Sequence, residues 1–142
     1  MRTNSALSDI LTRSRLDRDE GYRMLQLLQD EATQQATLPG LEQIAPGWAD
    51  WIITALFGGT YLREGLSLRD RQLVNLAALT TLGGVDPQLG GHVRTGLRIG
   101  MTQQQIVEVF VHLAPYVGVP RALAGLRVAA EALADTQRED AR

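Results

Sequence analysis

The stretch Leu89-Gly-Gly-His-Val-Arg-Thr-Gly-Leu-Arg-Ile-Gly100 decides how the chain is interpreted, because it places one of only two histidines on a predicted helix. Asp86 can accept hydrogen bonds from the first turn, Pro87 fits the first helical position, and Gly100 ends the helix. His92 lies within an apolar stripe, where it is either a core residue or a group that lines a cavity. The stripe consists of residues at helical spacing, namely Leu89, Val93, Gly96 and Leu97.

The size and charge of the chain limit its classes of partner. A chain of 142 residues is expected to form a single domain, residues 1–142, with residues 1–16 as an N-terminal arm. The net charge of −2 gives no basic stripe for nucleic acid. No apolar run reaches a membrane-spanning length, and the polar N-terminus does not resemble a signal peptide. We therefore expect a cytoplasmic protein with a small-molecule substrate and neither a nucleic-acid nor a membrane partner.

Two residue types are missing, and their absence restricts the chemistry. The chain has no cysteine, which excludes thiol nucleophiles, disulfide redox cycles and thiolate metal sites. All fourteen basic residues are arginine, so Schiff-base catalysis through a lysine of this chain is excluded as well. An enzyme with this composition must use histidine, carboxylate, hydroxyl or phenol groups, or a borrowed cofactor.

Apolar periodicity predicts an all-α fold, a helical bundle of about six helices. Besides the His92 helix, the predicted helices cover residues 17–36, 48–57, 68–82, 102–117 and a last segment that Pro120 opens. Residues 37–40 and 45–47 contain Pro-Gly and are predicted breaks. The helix over 68–82 is apolar nearly all round in its second half, which is typical of a bundle centre or a subunit interface. We therefore expect a homo-oligomer.

The helix over 102–117 holds the second histidine and has two open interpretations. Thr102 and Gln105 form a predicted capping box at its start. Glu108, His112 and Tyr116 stand four residues apart on one face. They are either a solvated edge or the wall of a polar pocket, in which Glu108 interacts with His112 and Tyr116 donates a hydrogen bond.

A metal site is the less favoured use of these side chains. His92, His112 and Glu108 could supply two imidazoles and a carboxylate. No two of them follow an H-E-x-x-H type of spacing, so only the packing of separate helices could bring them together. We therefore predict that the chain has no metal site.

Five sequence elements between residues 66 and 134 follow one another in a characteristic order. They are Leu-Ser-Leu-Arg-Asp-Arg-Gln-Leu-Val (66–74), Ala-Ala-Leu (77–79), Gly-His-Val-Arg-Thr-Gly-Leu-Arg-Ile-Gly-Met-Thr (91–102), Gln-Ile-Val-Glu-Val (105–109) and His-Leu-Ala-Pro-Tyr-Val-Gly-Val-Pro-Arg-Ala (112–122). In these elements and their order, residues 66–134, about half the chain, resemble the carboxymuconolactone decarboxylase family, which has the alkyl hydroperoxidase D-like fold. The resemblance implies a trimer or hexamer with sites near subunit contacts.

The resemblance also implies roles for individual residues. The family places a catalytic histidine at His92, and His112 and Tyr116 match positions that line the pocket in many relatives. The peroxide-reducing branch carries a C-x-x-C pair just before that histidine. Val85 and Gln88 occupy those two positions here, so that mechanism is excluded. Residue 72 also departs from the family pattern, because it is Gln where many relatives have glutamate.

The reaction that the resemblance implies suits a chain without lysine, cysteine or cofactor. In a carboxymuconolactone the electrons of the departing carboxylate pass to a conjugated lactone carbonyl, so the enzyme has only to bind, stabilise the enolate and deliver a proton. Arg94, or alternatively Arg63, could hold the carboxylate. The other candidate substrate-binding residues are Trp48, Trp51, Tyr61 and Glu108.

Three classes of function remain open at this point. The first is a decarboxylase or related lyase that acts on a small lactone or conjugated acid. The second is a tailoring enzyme that carries out cyclisation, isomerisation or proton transfer on a larger polyketide-like or aromatic substrate. The third is a non-catalytic oligomeric binding protein with the same fold. The volume of the pocket would distinguish the first two classes.

Overall fold

The computed structural model describes residues 15–142, and this part of the chain is helical and contains no strand. It has seven α-helices: α1 (Arg18–Leu28), α2 (Glu31–Ile44), α3 (Trp48–Ile52), α4 (Leu68–Leu82), α5 (Asp86–Arg98), α6 (Gln103–Val117) and α7 (Val119–Asp140). The all-α prediction is confirmed. Most of the predicted N-terminal arm lies outside the described residues. No helix in the described range is long and apolar enough to cross a membrane.

The chain divides into two compact units, of which the first ends at Ser67 and the second spans Leu68–Arg142. The first unit contains one helix more than the sequence predicted. We expected a single helix to about residue 36 with a break at residues 37–40, and this was wrong. The helix ends at Leu28, and a new one begins where the Asp30 carboxylate accepts from the backbone N–H of Thr33 at 2.7 Å.

Pro39 lies inside α2 instead of ending it. Proline has no backbone N–H, so the hydrogen bond that this residue would donate to the carbonyl of Gln35 is missing. Both residues are exposed, so water can satisfy that carbonyl. The loss of the hydrogen bond is therefore tolerated in a helix that has no buried residue.

The predicted helix over residues 48–57 is confirmed in extent, although its second half is a π-helix over Ile53–Phe57. This turn packs on α1. Gly21 permits the close approach, since a Cβ there would come within 2.6 Å of the carbonyl oxygen of Ile53. Tyr22 and Arg18 on α1 both donate to one oxygen of Asp50 on α3, at 2.8 and 2.7 Å. These hydrogen bonds lower the pKa of the Asp50 carboxyl.

The second unit is a bundle of the four helices α4 to α7. Helix α7 packs on the other three, and α4 also packs on α5 and α6. The predicted bounds of α4 are confirmed, and so is the capping box of Thr102 and Gln105, whose two reciprocal hydrogen bonds are both 3.1 Å long. The buried core of this unit consists of Leu76, Leu89, Val93, Met101, Ile106, Phe110, Ala129, Ala132 and Leu133.

Helix α5 begins at Asp86, the residue that we predicted would cap it. Val85 is the N-cap residue and no side chain bonds to the first turn, so the prediction that Asp86 caps the helix was wrong. Asp86 is instead the first helical residue, where its charge complements the positive end of the helix dipole. The predicted end is confirmed, because the helix stops before Gly100, which has a φ of 96°.

An arginine from α7 completes the end of α4. The guanidinium of Arg121 donates to the carbonyl oxygens of Thr81 and Leu82, the latter at 2.9 Å. The last carbonyls of a helix have no partner within the helix itself, and a cation there also opposes the negative end of the dipole. The contact therefore joins the two helices at a point where the exposed carbonyls of α4 would otherwise bond only to water.

Candidate functional site

His92 lies on the buried side of α5, as the apolar stripe predicted. Leu89, Val93 and Gly96 of that stripe are buried, and the imidazole of His92 is half-buried among them. Burial lowers the pKa of His92, because a partly desolvated ring favours its neutral form. No carboxylate, Glu108 included, raises this pKa again within the described chain.

A buried amide holds the ring of His92. The Oε1 atom of Gln72, on α4, lies 2.9 Å from Nδ1 of His92, and Gln72 has no exposed surface. When this oxygen accepts from the N–H at Nδ1, the other ring nitrogen, Nε2, is left to gain or lose a proton. The arrangement orients the ring and assigns the exchangeable proton to one atom.

A groove of about 700 Å³ lies beside α4 and α6, within the second unit. Its apolar wall combines side chains from both helices, and a second set of charged and polar groups lies around them. The apolar residues are Leu73, Ala77, Val109 and Leu113, and the others are Arg69, Thr102, Gln104, Gln105, Glu108 and His112. Sites for small molecules commonly combine an apolar lining with a few polar groups in this way.

The lining of the groove includes some of the residues that stand on one face of α6 with His112. Glu108 and His112 both line it, although both side chains are exposed. No hydrogen bond or ion pair joins these two residues within the part of the chain described. Tyr116 is 76% exposed and not part of the lining, and its ring centroid lies 5.5 Å from that of His112 at a tilt of 35°. Glu108 and His112 therefore line the groove at an exposed edge, whereas Tyr116 does not, and both interpretations stay predictions.

The two histidines do not share one lining, because His92 is absent from the residues that form the groove. Arg94 is also outside it. The Arg94 guanidinium lies alongside its own helix, with Nη1 at 3.7 Å from where a Cβ at Gly90 would be. Over residues 15–142 no three His, Cys, Asp or Glu side chains lie where they could together hold a metal ion.

The aromatic candidates belong to the first unit. Trp48 and Trp51 are 50% and 64% exposed. Tyr61 is buried and stacks on Phe57, with ring centroids 5.2 Å apart. A buried and stacked tyrosine has a packing role in this unit, and its proposed part in substrate binding stays a prediction, as do those of the tryptophans.

Sequence reasoning missed Arg69, which is the arginine that lines the groove. It occupies the first turn of α4, four residues before Leu73 and eight before Ala77. Residues at this spacing share one helix face, so the periodicity of α4 could have indicated it. It was overlooked because only the apolar residues of that helix were placed on a face.

Comparison with known proteins agrees with the resemblance found in the sequence. The chain is 28% identical over 109 residues to an uncharacterised 15.0 kDa protein in the nqo9-nqo10 intergenic region of Paracoccus denitrificans, over 76% of this chain and 81% of that protein. It is 29% identical over 99 residues to the 4-carboxymuconolactone decarboxylase of Acinetobacter baylyi, over 70% of this chain and 73% of that enzyme. A model of the carboxymuconolactone decarboxylase family matches residues 46–131, which is more than half of the sequence. The chain therefore belongs to the carboxymuconolactone decarboxylase family.

Proposed function

We propose that the protein is a cofactor-independent carboxy-lyase that acts by acid–base catalysis on a small lactone or conjugated carboxylic acid. The observation that carries this proposal is the pair formed by His92 and Gln72, whose nitrogen and oxygen are 2.9 Å apart. It provides a half-buried imidazole whose orientation is fixed and whose Nε2 atom can gain or lose a proton. The similarity to a relative named 4-carboxymuconolactone decarboxylase supports the choice of reaction.

The proposed reaction follows from the electron balance of the substrate. The bond to the departing carboxylate breaks, carbon dioxide leaves, and the electron pair passes to the lactone carbonyl as a dienolate. The dienolate then takes a proton at carbon, so each turnover consumes one proton. His92 delivers it from Nε2 as an imidazolium. A lowered pKa makes that imidazolium a stronger acid, and the exposed part of the ring allows solvent to protonate it again.

Arg94 is the proposed partner of the substrate carboxylate. It lies two residues after His92 on the same helix and is half-buried. No hydrogen bond or ion pair occupies its guanidinium within the described residues. A guanidinium can bind a carboxylate through two parallel hydrogen bonds, which fixes the substrate as well as attracting it.

Turnover of 4-carboxymuconolactone by the purified protein, followed by carbon dioxide release, tests the proposal. We expect His92→Ala to lower turnover by roughly two to four orders of magnitude, which is the usual contribution of a positioned acid or base. His112→Ala is the matched control and should cost less. If the His92 variant keeps near-normal turnover and the His112 variant does not, the two roles are reversed. If both keep it, neither histidine delivers the proton.

A chelator gives an independent check on the cofactor-free mechanism. The substrate carries its own electron sink, so we expect turnover to survive dialysis against a chelator without any added cofactor. Activity that is lost on dialysis and restored by zinc or manganese would overturn this part of the proposal.

The groove favours a second candidate function, a tailoring enzyme for a larger conjugated substrate. A volume of about 700 Å³ lies within the range of sites for drug-sized ligands. In this case His112 and Glu108, which line the groove, would move the proton. A strong effect of His112→Ala together with a weak effect of His92→Ala would favour this candidate over the first.

A further inference from the structure

We propose that the groove beside α4 and α6 binds an elongated, largely apolar monocarboxylate, with its carboxylate on Arg69 and its apolar body against Leu73, Ala77, Val109 and Leu113. The reaction of the second candidate function would take place in this same groove. Binding itself does not depend on that reaction or on His92.

The charge of Arg69 is the first argument. Arg69 lines the groove, and no side chain or carbonyl pairs with its guanidinium within residues 15–142. The backbone N–H of Gln105 and that of Thr102 are already engaged by the capping box. Arg69 is therefore an unpaired cationic group in the lining of the groove within the described residues, and a guanidinium can bind a carboxylate through two parallel hydrogen bonds.

The shape and polarity of the groove are the second argument. Arg69, Leu73 and Ala77 follow one another at intervals of four residues, which corresponds to a length of about 12 Å along the helix. The four apolar side chains are half-buried, so a ligand can still cover apolar surface on them. A conjugated ring system with a side chain fits this length, whereas a single small ion would leave the apolar wall uncovered.

The carboxylate of Glu108 limits the ligand to one negative charge. Glu108 lines the same groove and has no cationic partner within the described chain. A second carboxylate on the ligand would share the groove with a like charge, which disfavours binding. The groove should therefore accept a monocarboxylate more readily than a dicarboxylate of the same skeleton.

Titration with trans-cinnamate, followed by NMR of the histidine ring protons, tests the proposal on the full chain. The chain has only two histidines, of which His112 lines the groove and His92 does not. We expect cinnamate to shift the signals of His112 and to leave those of His92 in place. Signals that move at His92 instead would overturn the proposal, because the ligand would then bind at another site. This measurement needs no turnover, so its failure is distinct from failure of the decarboxylase assignment.

Three comparisons test the individual contacts. Arg69→Gln should weaken cinnamate roughly tenfold to hundredfold, as expected for loss of a charge-assisted contact. The same change should leave the affinity for neutral cinnamamide unaltered, which also shows that the variant is folded. Arg127→Gln removes an exposed arginine outside the groove and should have no effect. Equal losses of cinnamate affinity in the two arginine variants would overturn the proposal. Equal affinities of the unmodified chain for cinnamamide and for cinnamate would also overturn it.

The dicarboxylate 4-carboxycinnamate tests the role of Glu108. It should bind more weakly than cinnamate to the unmodified chain, and Glu108→Gln should remove most of that difference. If a second copy of the chain covers the groove instead, no cinnamate will bind and no His112 signal will move, which would also overturn the proposal.

Discussion

Nδ1 of His92 lies 2.9 Å from Oε1 of Gln72, a residue twenty positions earlier that has no exposed surface. In the tautomer with its proton on Nδ1, the amide oxygen accepts from Nδ1–H whether the ring is neutral or charged. The orientation of the ring therefore does not change when Nε2 gains or loses a proton. Gln72 acts as a positioning residue, and the predictions about the site begin from this pair.

The first prediction concerns the pH dependence of kcat/KM. In the proposed reaction, protonation at carbon requires the imidazolium form of His92, so the rate should fall as the pH rises through the pKa of this group. Burial lowers that pKa, which places the midpoint of the fall below the ordinary histidine value of about 6.5. A series of rate measurements from about pH 5 to about pH 8 checks this. A rate that rises over this range would instead assign His92 the role of a base.

The second prediction is that Gln72→Glu raises the pKa of His92. A carboxylate in place of the amide favours the imidazolium, and an adjacent opposite charge shifts a pKa by about one unit or more. NMR titration of His92 and the falling limb of the pH–rate profile should both move to higher pH. Gln72→Leu is the control, since it removes the contact without adding charge and should lower kcat without that upward movement. Unchanged profiles in both variants would show that Gln72 has only a packing role.

The third prediction is that the protein forms a homo-oligomer, with a trimer or hexamer as the expected assembly. Helix α4 leaves Val74 and Leu82 57% and 65% exposed, which is unusual for large apolar side chains on a central helix. Light scattering at micromolar concentration measures the assembly. Val74→Glu should weaken it if this face forms the contact. A stable monomer of the unmodified chain would contradict the prediction.

The fourth prediction compares two glycines with opposite surroundings. A Cβ at Gly125 would come within 2.8 Å of Thr80 and 3.0 Å of Phe110, both buried, so Gly125→Ala should destabilise the fold by roughly 1–3 kcal/mol. Gly40, inside α2, has nothing within 4 Å of such a Cβ, and Gly40→Ala should stabilise by about 0.5–1 kcal/mol. Thermal unfolding of the two variants should therefore shift in opposite directions. Equal shifts would mean that the space around Gly125 is not limiting.

Local signals in the sequence predicted the helices where the physical cause was local. The capping box of Thr102 and Gln105 and the stop at Gly100 were correct, because each depends on residues within one turn. The prediction that Pro39 ends the helix was wrong because the effect of a proline depends on its exposure. A helix without buried residues tolerates the missing hydrogen bond. Asp86 was misplaced by one residue, which is the usual uncertainty of a helix end.

The site was less predictable than the fold. His92 was found because a histidine on an apolar stripe is visible in the sequence, and the family resemblance gave it a role. Its partner Gln72 lies on another helix, so periodicity alone could not join the two residues. The same holds for Arg69 and His112, which meet in one groove only after α4 and α6 have packed. Contacts between helices depend on tertiary packing, which local patterns do not contain.

The contact of Arg121 with the carbonyls of Thr81 and Leu82 has a consequence for how the second unit folds. The end of α4 obtains a hydrogen-bond donor from a residue about forty positions later, so this contact forms only once α7 has docked. Loss of α7 would in turn leave those exposed carbonyls to water, which links the fraying of α4 to the docking of α7. Amide hydrogens in the last turn of α4 should therefore exchange with solvent faster in Arg121→Gln than in the unmodified chain.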